Sequence, residues 1–488
     1  MPNGAPPVDT SDAAARRASA RGDAVPGGSA MADNAPPDGD AVAGDAVTRG
    51  RAQRIVAELA ERLNRQDQTV VTATTGVDTA KSPSTGTPQP PVSGPTLAAG
   101  HSGVALLYGE LSHAAPALRI TAHAHLATAL STLGSQPGVG LYDGATSLAF
   151  AARVTRHRPQ DYATILNQLD ERITAGLRTI LDAESARLDA GHAGVAMRTY
   201  DTISGVTGIG RYLLLRGDGD PEALTESLSY LVRLVRPVRA HGFDVPGWWV
   251  PTGPSLQPDI RFPRGHLNLG AAHGICGPLA LLSLAHESGV RVPGQSEAIH
   301  VMVEHVLSLR LDGGRWPRVV GFDDFVAGSP GTDSEARLTA AGWCYGTPGV
   351  ARALYLAGRA LDQPEWRDTA TQSLTGTLLS LTPHQVGNGS LCHGWAGLLQ
   401  IAWRMADDSA DAGLARLLPG LARRLIDAYD PGLPYGFSHD RPALMTGQPV
   451  PPHRPGFLEG AAGIALALHT YATGRNPSSP WDAALMLD

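Results

Sequence analysis

The chain has 488 residues, a formal net charge of −7, 42% hydrophobic and 5% aromatic residues. This length allows one large domain or two to four smaller ones. The acidic balance argues against a nucleic-acid-binding protein, and three cysteines are too few for a disulfide framework. The sequence has neither an apolar run of about 18 residues nor an apolar signal segment at its start. We therefore predict a cytoplasmic protein without a membrane span.

The N-terminal part of the sequence has low complexity. Residues 1–48 are rich in Ala, Gly, Pro and Asp and carry almost no large apolar side chains, which predicts a disordered extension. A first helix is predicted at about 51–65, followed by a Thr/Ser/Pro-rich loop at 67–96. The main domain is predicted to span 49–475, and residues 476–488 form a C-terminal tail.

From residue 97 onward a short pattern recurs seven times. It consists of a glycine, two further residues, a second glycine or small residue, and then an apolar run. Successive copies begin on average about 60 residues apart, which is enough for two helices and their loops. The pairs of small residues are Gly100 and Gly103, Gly144 and Ser147, Gly205 and Gly208, Gly274 and Gly277, Gly346 and Gly349, Gly394 and Gly397, and Gly460 and Gly463.

The repeats predict two classes of helix. The glycine-led runs are apolar nearly all round, as in helices buried on both sides, whereas segments such as 161–188 and 297–310 are amphipathic. We predict an all-α fold, an α/α toroid with a double ring of seven inner and seven outer helices and loop insertions over the mouth. An open helical solenoid is the alternative that this pattern also allows.

Two cysteines occupy equivalent positions in consecutive repeats. Cys344 and Cys392 each stand two residues before the first glycine of their repeat, and His393 follows Cys392. Two thiolates and an imidazole form a three-ligand set for Zn²⁺ with one open position. The alternative is that both cysteines are small core residues beside a core histidine.

Two further polar residues precede neighbouring repeats. His273 lies one residue before Gly274, where its imidazole could face the same mouth as a general acid or base, or could cap a buried helix end. Asp201 lies four residues before Gly205 and is either a helix N-cap or a proton-sharing partner of a cation. Cys276, inside a Gly-x-x-Gly segment, is predicted to be a packing residue.

Three strings carry a resemblance to a known family. NLGAAHGICG, GWCYGTPGVARAL and LCHGWAGLL resemble the signature motifs of the lanthionine cyclase (LanC-like) family, and the resemblance extends from about 97 to 470. It implies a toroid whose zinc ligands are Cys344, Cys392 and His393. It also implies catalytic roles for His273, Asp201 and Tyr345, the tyrosine that follows the first zinc cysteine.

The activity implied by this resemblance is the closure of thioether rings in a peptide. Zinc lowers the pKa of a peptide cysteine thiol, which then adds to dehydroalanine or dehydrobutyrine and gives lanthionine or methyllanthionine. The implied partners are a dehydrated precursor peptide, a separate dehydratase and an exporter.

One position departs from the family pattern. The family commonly has an arginine four residues before the first zinc cysteine, but residue 340 is Ala, and the nearest preceding arginine is Arg337. One alternative is therefore a LanC-like scaffold that binds a thiol, or adds glutathione, without closing rings. A second is a hydrolase of the α/α-barrel type with paired acids, for which Asp143 and Glu459 are the candidates.

Overall fold

The computed structural model describes most of the chain from residue 38 onward. The described ranges are 38–75, 94–134, 138–217, 221–254, 259–328, 341–382, 385–438 and 453–488. Within the first range, side chains are described for residues 44–64.

Helices account for most of the described residues. In chain order they are α1 (Asp38–Thr75), α2 (His101–Leu111), α3 (Leu118–Ser131), α4 (Ala145–Thr155), α5 (Ala163–Asp189), α6 (Met197–Tyr200), α7 (Val206–Arg216), α8 (Pro221–Arg233), α9 (Cys276–Glu287), α10 (Gln295–Ser308), α11 (Phe322–Val326), α12 (Thr347–Ala360), α13 (Pro364–Ser380), α14 (Trp395–Ser409), α15 (Ala412–Asp427) and α16 (Ala461–Thr473). A 3₁₀ helix follows at Trp481–Leu485. None of the described helices combines the length and apolar character that crossing a membrane requires.

The repeat-led helices form a closed inner ring within Asp45–Asp488. In the described part of the chain, α2, α4, α7, α9, α12, α14 and α16 each contact the next, and α16 returns to contact α2. The helices α3, α5, α8, α10, α13 and α15 pack against their inner neighbours from outside. On α1, the carbonyl group of Ala60 accepts a hydrogen bond from Tyr108 of α2. The predicted double ring is confirmed, and the open solenoid is wrong.

In six of the seven repeats the second small residue is a glycine that close packing requires; the second repeat has Ser147 there. A Cβ atom at this position would lie within 2.8 Å of the carbonyl oxygen six residues earlier, which is closer than real Cβ contacts. The positions are Gly103, Gly208, Gly277, Gly349, Gly397 and Gly463. The repeated motif therefore encodes a tight loop that leads into each inner helix.

These loops are joined to one another by a circle of backbone hydrogen bonds, which we call the girdle. Each loop donates an N–H group to a carbonyl oxygen of the next loop, and the seventh donates to the first. The bonds run from Leu97 to Tyr142 (3.1 Å), Tyr142 to Ile203 (3.1 Å), Thr202 to Ala272 (3.0 Å), Ala272 to Cys344 (3.5 Å), Cys344 to Cys392 (3.1 Å), Cys392 to Leu458 (2.9 Å) and Phe457 to Leu97 (3.3 Å). The girdle holds the residues that precede the inner helices at one level.

The C-terminal residues lie inside the inner ring. Ser478 and Ser479 donate their N–H groups to Glu110 of α2, and Arg404 of α14 makes two hydrogen bonds to Asp482, at 2.6 and 2.7 Å. Backbone carbonyl groups of the same segment accept hydrogen bonds from Tyr142, Trp343 and Arg352. Because these partners lie around the whole ring, residues 478–488 fill the space that it encloses.

Four short strands lie beside the ring. They are β1 (Val238–Ala240), β2 (Phe243–Val245), β3 (His266–Asn268) and β4 (Val319–Gly321). β1 and β2 form one antiparallel pair, and β3 and β4 form the other, with Asn268 opposite Val319. β3 leads directly into the loop before α9, so this second pair reaches the loop level of the inner ring.

The bounds of α1 differ from the sequence prediction. The helix spans Asp38–Thr75 rather than 51–65, so residues 67–75 are helical and the predicted loop is wrong there. The helix continues to residue 75 because no glycine or proline lies between residues 51 and 75, and Gly76 follows it; Gly39, Gly44 and Gly50 lie within its first half. Residues 38–48, predicted to belong to a disordered extension, are helical as well, so that prediction is wrong there. Residues 1–37 of the predicted extension and residues 76–93 of the predicted loop lie outside the described residues.

Candidate metal centre

Two thiols and an imidazole meet at the level of the girdle. Cys344 lies in the loop before α12, and Cys392 and His393 lie in the loop before α14. The girdle bond from the Cys344 N–H group to the Cys392 carbonyl group (3.1 Å) fixes the two loops against each other. One ligand atom from each residue lies within 4.8 Å of the other two. Matched positions in the sequence therefore correspond to one cluster in space.

A glycine allows these two loops to approach so closely. A Cβ atom at Gly342 would lie 2.9 Å from the His393 Cα and 3.1 Å from the Cys392 carbonyl oxygen. Any larger residue would push the loop that carries Cys344 away from His393. Gly342 is thus part of the framework that brings the three side chains together.

The chemistry of the cluster fits a zinc ion. Two sulfur donors and one nitrogen donor match the preference of Zn²⁺, and three protein ligands leave a fourth position open. The Nδ1 atom of His393 is buried and has no hydrogen-bond partner among the described residues. A hydrogen bond from Cys392 holds the pKa of Cys344 well below its usual value and raises the pKa of Cys392. The pair therefore shares a proton that metal binding would displace.

His273 is held by a carboxylate on the neighbouring loop. Its Nδ1 atom lies 2.6 Å from Asp201 Oδ2, and a carboxylate acceptor requires the proton to be on Nδ1. The other oxygen, Oδ1, accepts hydrogen bonds from the N–H groups of Ser204 (2.8 Å) and Gly205 (2.9 Å). Asp201 is therefore both a loop cap before α7 and the orienting partner of His273. Since Nδ1 is occupied by Asp201, the Nε2 atom of His273 is the ring nitrogen that can accept a proton.

Tyr345 lies next to Cys344 and near His273. Its ring centroid is 6.5 Å from that of His273, and its hydroxyl oxygen accepts a hydrogen bond from Asn268 Nδ2 at 3.1 Å. Burial raises the pKa of Tyr345, so its hydroxyl group keeps its proton. Tyr345 is therefore a neutral phenol held by Asn268 at the mouth of the ring.

The structure brings together Cys344, Cys392 and His393 in one cluster, and Tyr345, which follows Cys344, has its ring near that of His273. Cys276 is fully buried in α9, and burial raises its pKa, as expected of the packing residue that the sequence predicts. Of the two acids considered for a hydrolase, Glu459 is ion-paired with Arg454. Ala340 and Arg337 lie outside the described residues.

Sequence reasoning missed two residues at this site. Asn268 holds Tyr345 and also accepts the Gly270 N–H group at 2.9 Å. The sequence contains a pattern that could have identified Asn268, because an Asn stands six residues before the first glycine in two repeats, at 268 and 388. Arg318 lies over the ring of Tyr345, with its guanidinium carbon 4.8 Å from the ring centroid. No repeat marks Arg318, since it comes from the connection before β4.

Comparison with a solved structure supports the same architecture. The structure of nisin cyclase superimposes with a TM-score of 0.67 over 80% of this chain and 92% of that protein, at 21% sequence identity. This similarity shows that the closed double ring is the α/α toroid of that protein.

Sequence comparisons agree with the structural one. A relative, the nisin biosynthesis protein NisC of Lactococcus lactis subsp. lactis, is 25% identical over 284 residues. This match spans 57% of the present chain and 64%, less than two thirds, of the relative. Residues 91–486 match the family described as lanthionine synthetase C-like protein. The chain therefore belongs to the lanthionine synthetase C-like family.

Proposed function

We propose that this protein is a zinc-dependent lanthipeptide cyclase, which adds a peptide cysteine thiol to dehydroalanine or dehydrobutyrine in the same peptide. The observation that carries the proposal is the cluster of Cys344, Cys392 and His393, within 4.8 Å, beside a histidine oriented by a carboxylate. Membership of the family and the name of the relative NisC, a nisin biosynthesis protein, support the same reaction class.

The residues around the cluster have distinct roles in this proposal. A zinc ion held by the three ligands would lower the pKa of the substrate thiol. His273 accepts the thiol proton on Nε2 while Asp201 holds the imidazole in position. The sulfur forms a bond to Cβ, the electron pair of the C=C bond moves onto the carbonyl group as an enolate, and His273 returns the proton to Cα. Tyr345 donates a hydrogen bond near the reacting atoms.

The proposal also covers the setting of the reaction. The substrate is a precursor peptide that another protein has dehydrated, and an exporter of the finished peptide is a further expected partner. The cytoplasm is the expected compartment, because the three cysteines are free thiols and the cluster requires reduced sulfur.

A defined peptide tests the proposal. The substrate is a synthetic peptide with one cysteine and one dehydroalanine, incubated with zinc-loaded protein at neutral pH. Ring closure leaves the mass unchanged and removes the thiol that iodoacetamide would alkylate, so the alkylated fraction measures the reaction. We expect His273→Asn to keep its zinc and to slow closure by about 100-fold or more, because proton transfer is lost.

The controls separate this proposal from its alternatives. Protein stripped of zinc, and buffer alone, give the uncatalysed rate. A mass increase of one glutathione, seen only when glutathione is added, would indicate intermolecular addition instead of ring closure. A zinc-loaded protein that binds the peptide and leaves its thiol alkylatable would be a thiol-binding scaffold, and the cyclase proposal would be withdrawn.

A further inference from the structure

The oxyanion of the proposed reaction requires a positive group that the family pattern does not supply here. Addition of sulfur to Cβ places negative charge on the carbonyl oxygen of the dehydrated residue, and stabilising such a charge contributes strongly to catalysis. Ala340, four residues before Cys344, supplies no charge there. Among the described residues, Arg318 is a cation that contacts Tyr345, the neighbour of Cys344.

Arg318 is positioned at the cluster by the strand pair β3 and β4. It directly precedes β4, and its carbonyl oxygen accepts the Leu269 N–H group at 3.2 Å. Leu269 in turn leads into the loop that carries His273. The backbone of Arg318 is thus tied to the segment that presents the base, although 45 residues separate Arg318 from His273 in sequence.

The guanidinium group of Arg318 lies beside Tyr345, the residue that follows Cys344. It lies over the ring of Tyr345, at 4.8 Å from the centroid, and Tyr345 is bonded in sequence to Cys344. The side chain is partly exposed, so a substrate can reach it.

The charge of Arg318 is not neutralised by an acid in the described part of the chain. No carboxylate there lies within 4.0 Å of its guanidinium group, and stacking on Tyr345 uses only one face of that group. Arg454, whose charge reaches Cys392, is ion-paired with Glu459. Asp201, the buried acid closest to His273, is occupied by that histidine and by two N–H groups. The N–H donors of Arg318 therefore remain available to an anionic ligand.

We propose that Arg318 donates hydrogen bonds to the carbonyl oxygen of the dehydrated residue and stabilises the enolate that forms when the thiol adds. The inference rests on the proposed function and names the residue that takes the place of the missing arginine. The contact with the Tyr345 ring keeps the guanidinium group next to the loop that carries Cys344, and its planar fork of N–H donors suits a directional contact with an oxygen atom.

The test uses the zinc-loaded, full-length protein and the synthetic peptide with one cysteine and one dehydroalanine. Arg318→Met keeps the length of the side chain and removes the charge. We expect it to lower kcat by about 100-fold while KM changes less than about threefold, because the contact forms mainly in the transition state. Arg318→Lys should recover part of kcat, and guanidinium chloride at millimolar concentration should partly rescue Arg318→Ala. Zinc content should equal that of the wild type in all three variants.

Two matched controls accompany these variants. Arg310 also stacks on an aromatic ring, that of Trp316 at 5.7 Å, and Arg310→Met should retain wild-type kcat. Arg337→Met removes the arginine nearest to Cys344 in the preceding sequence and should also retain kcat. A loss confined to Arg337→Met would overturn the assignment to Arg318.

The outcomes distinguish this inference from the proposed function. Wild-type protein that closes no ring with zinc bound contradicts the proposed function, and this inference fails with it. Ring closure by Arg318→Met at the wild-type rate contradicts the role of Arg318 alone. A reduced rate that neither lysine nor guanidinium restores, or that accompanies loss of zinc, shows a structural role and also overturns the inference.

Discussion

Cys276 and Cys344 are both buried cysteines, but their thiols differ in acid–base character. Burial raises the pKa of Cys276, whereas the hydrogen bond from Cys392 holds the pKa of Cys344 below its usual value. A metal is bound by the thiolate, which forms readily only where neighbouring hydrogen-bond donors and cations stabilise its negative charge. Position within the repeat predicted this difference, because Cys344 precedes its inner helix and Cys276 lies inside one.

Substitution of these cysteines tests the ligand assignment. We expect Cys392→Ala to reduce bound zinc from about one ion per chain to less than a fifth of that, because two ligands remain. Cys276→Ala should keep its zinc. Inductively coupled plasma mass spectrometry after dialysis measures the metal, and circular dichroism confirms the fold. Full zinc content in Cys392→Ala would show that this cysteine is not a ligand.

Single residues were predictable where the repeats aligned them. Cys344, Cys392, His393 and His273 were found because they occupy comparable positions before their inner helices. Arg318 was not found, because its place beside Tyr345 depends on the pairing of β3 with β4, and strands of three residues leave too weak a pattern in the sequence.

Among the elements, the inner helices depend on loops in which glycine permits backbone to pack on backbone. At Gly349 of α12, a Cβ atom would overlap the Trp343 carbonyl oxygen. The second glycine, which six of the seven repeats carry, therefore reflects packing rather than flexibility. This also explains why the inner helices were easy to predict, whereas α1, which lacks the motif, was predicted with wrong bounds.

A pair of glycine substitutions measures this effect. Gly349→Ala should lower the free energy of unfolding by at least about 2 kcal/mol, because the added methyl group has no room. Gly420 lies in α15 with nothing within 4 Å of a Cβ atom, so Gly420→Ala should raise it by about 0.5–1 kcal/mol. Urea unfolding of both variants provides the comparison. Equal effects in the two variants would contradict the packing argument.

The strand pair that carries Arg318 contains a buried histidine. His266 in β3 is fully buried, and its Nδ1 atom lies 2.7 Å from the Thr252 carbonyl oxygen. Burial lowers the pKa of His266 to about 4. In the unfolded chain a histidine takes up a proton near pH 6.5, whereas folded His266 does so only near pH 4. The contribution of His266 to the free energy of unfolding is therefore fully present above pH 6.5 and is lost as the pH falls from 6.5 towards 4.

The size of this pH effect can be measured. When the pH is lowered from 7.5 to 5, His266 should reduce the free energy of unfolding by roughly 2 kcal/mol. Urea unfolding at the two pH values should show this loss in the wild type and a smaller loss in His266→Gln, whose side chain does not titrate. An identical pH dependence in both proteins would assign the effect to other groups.

For the molecule as a whole, the sequence predicted the closed ring of helices but not that the C-terminal residues fill the space inside it. Seven repeats of similar length implied a closed ring, which the contact between α16 and α2 confirms. Residues 476–488 were predicted to be a tail, but residues 481–487 are buried and the segment bonds to inner helices around the ring. Its contacts are with residues far away in sequence, so no local pattern could reveal them.

A buried ion pair tests the contribution of this segment to the stability of the whole ring. Arg404→Met leaves the Asp482 carboxylate fully buried without its cation, and we expect a loss of about 3 kcal/mol. The double variant Arg404→Met/Asp482→Asn should recover much of that loss. Arg239→Met, which removes an exposed ion pair with Asp244, should cost less than about 1 kcal/mol. Thermal unfolding compares the three; equal melting temperatures would exclude a structural role for the segment.

The girdle has a consequence for the order of events during synthesis. Its last bond joins Phe457 to Leu97, about 360 residues earlier, so the circle cannot close until the seventh loop has left the ribosome. The residues of the candidate metal site, on the fifth and sixth loops, emerge before that moment. A nascent chain therefore presents both thiols and the imidazole while the ring is still open, and zinc bound at that stage would fasten two neighbouring loops ahead of the final closure.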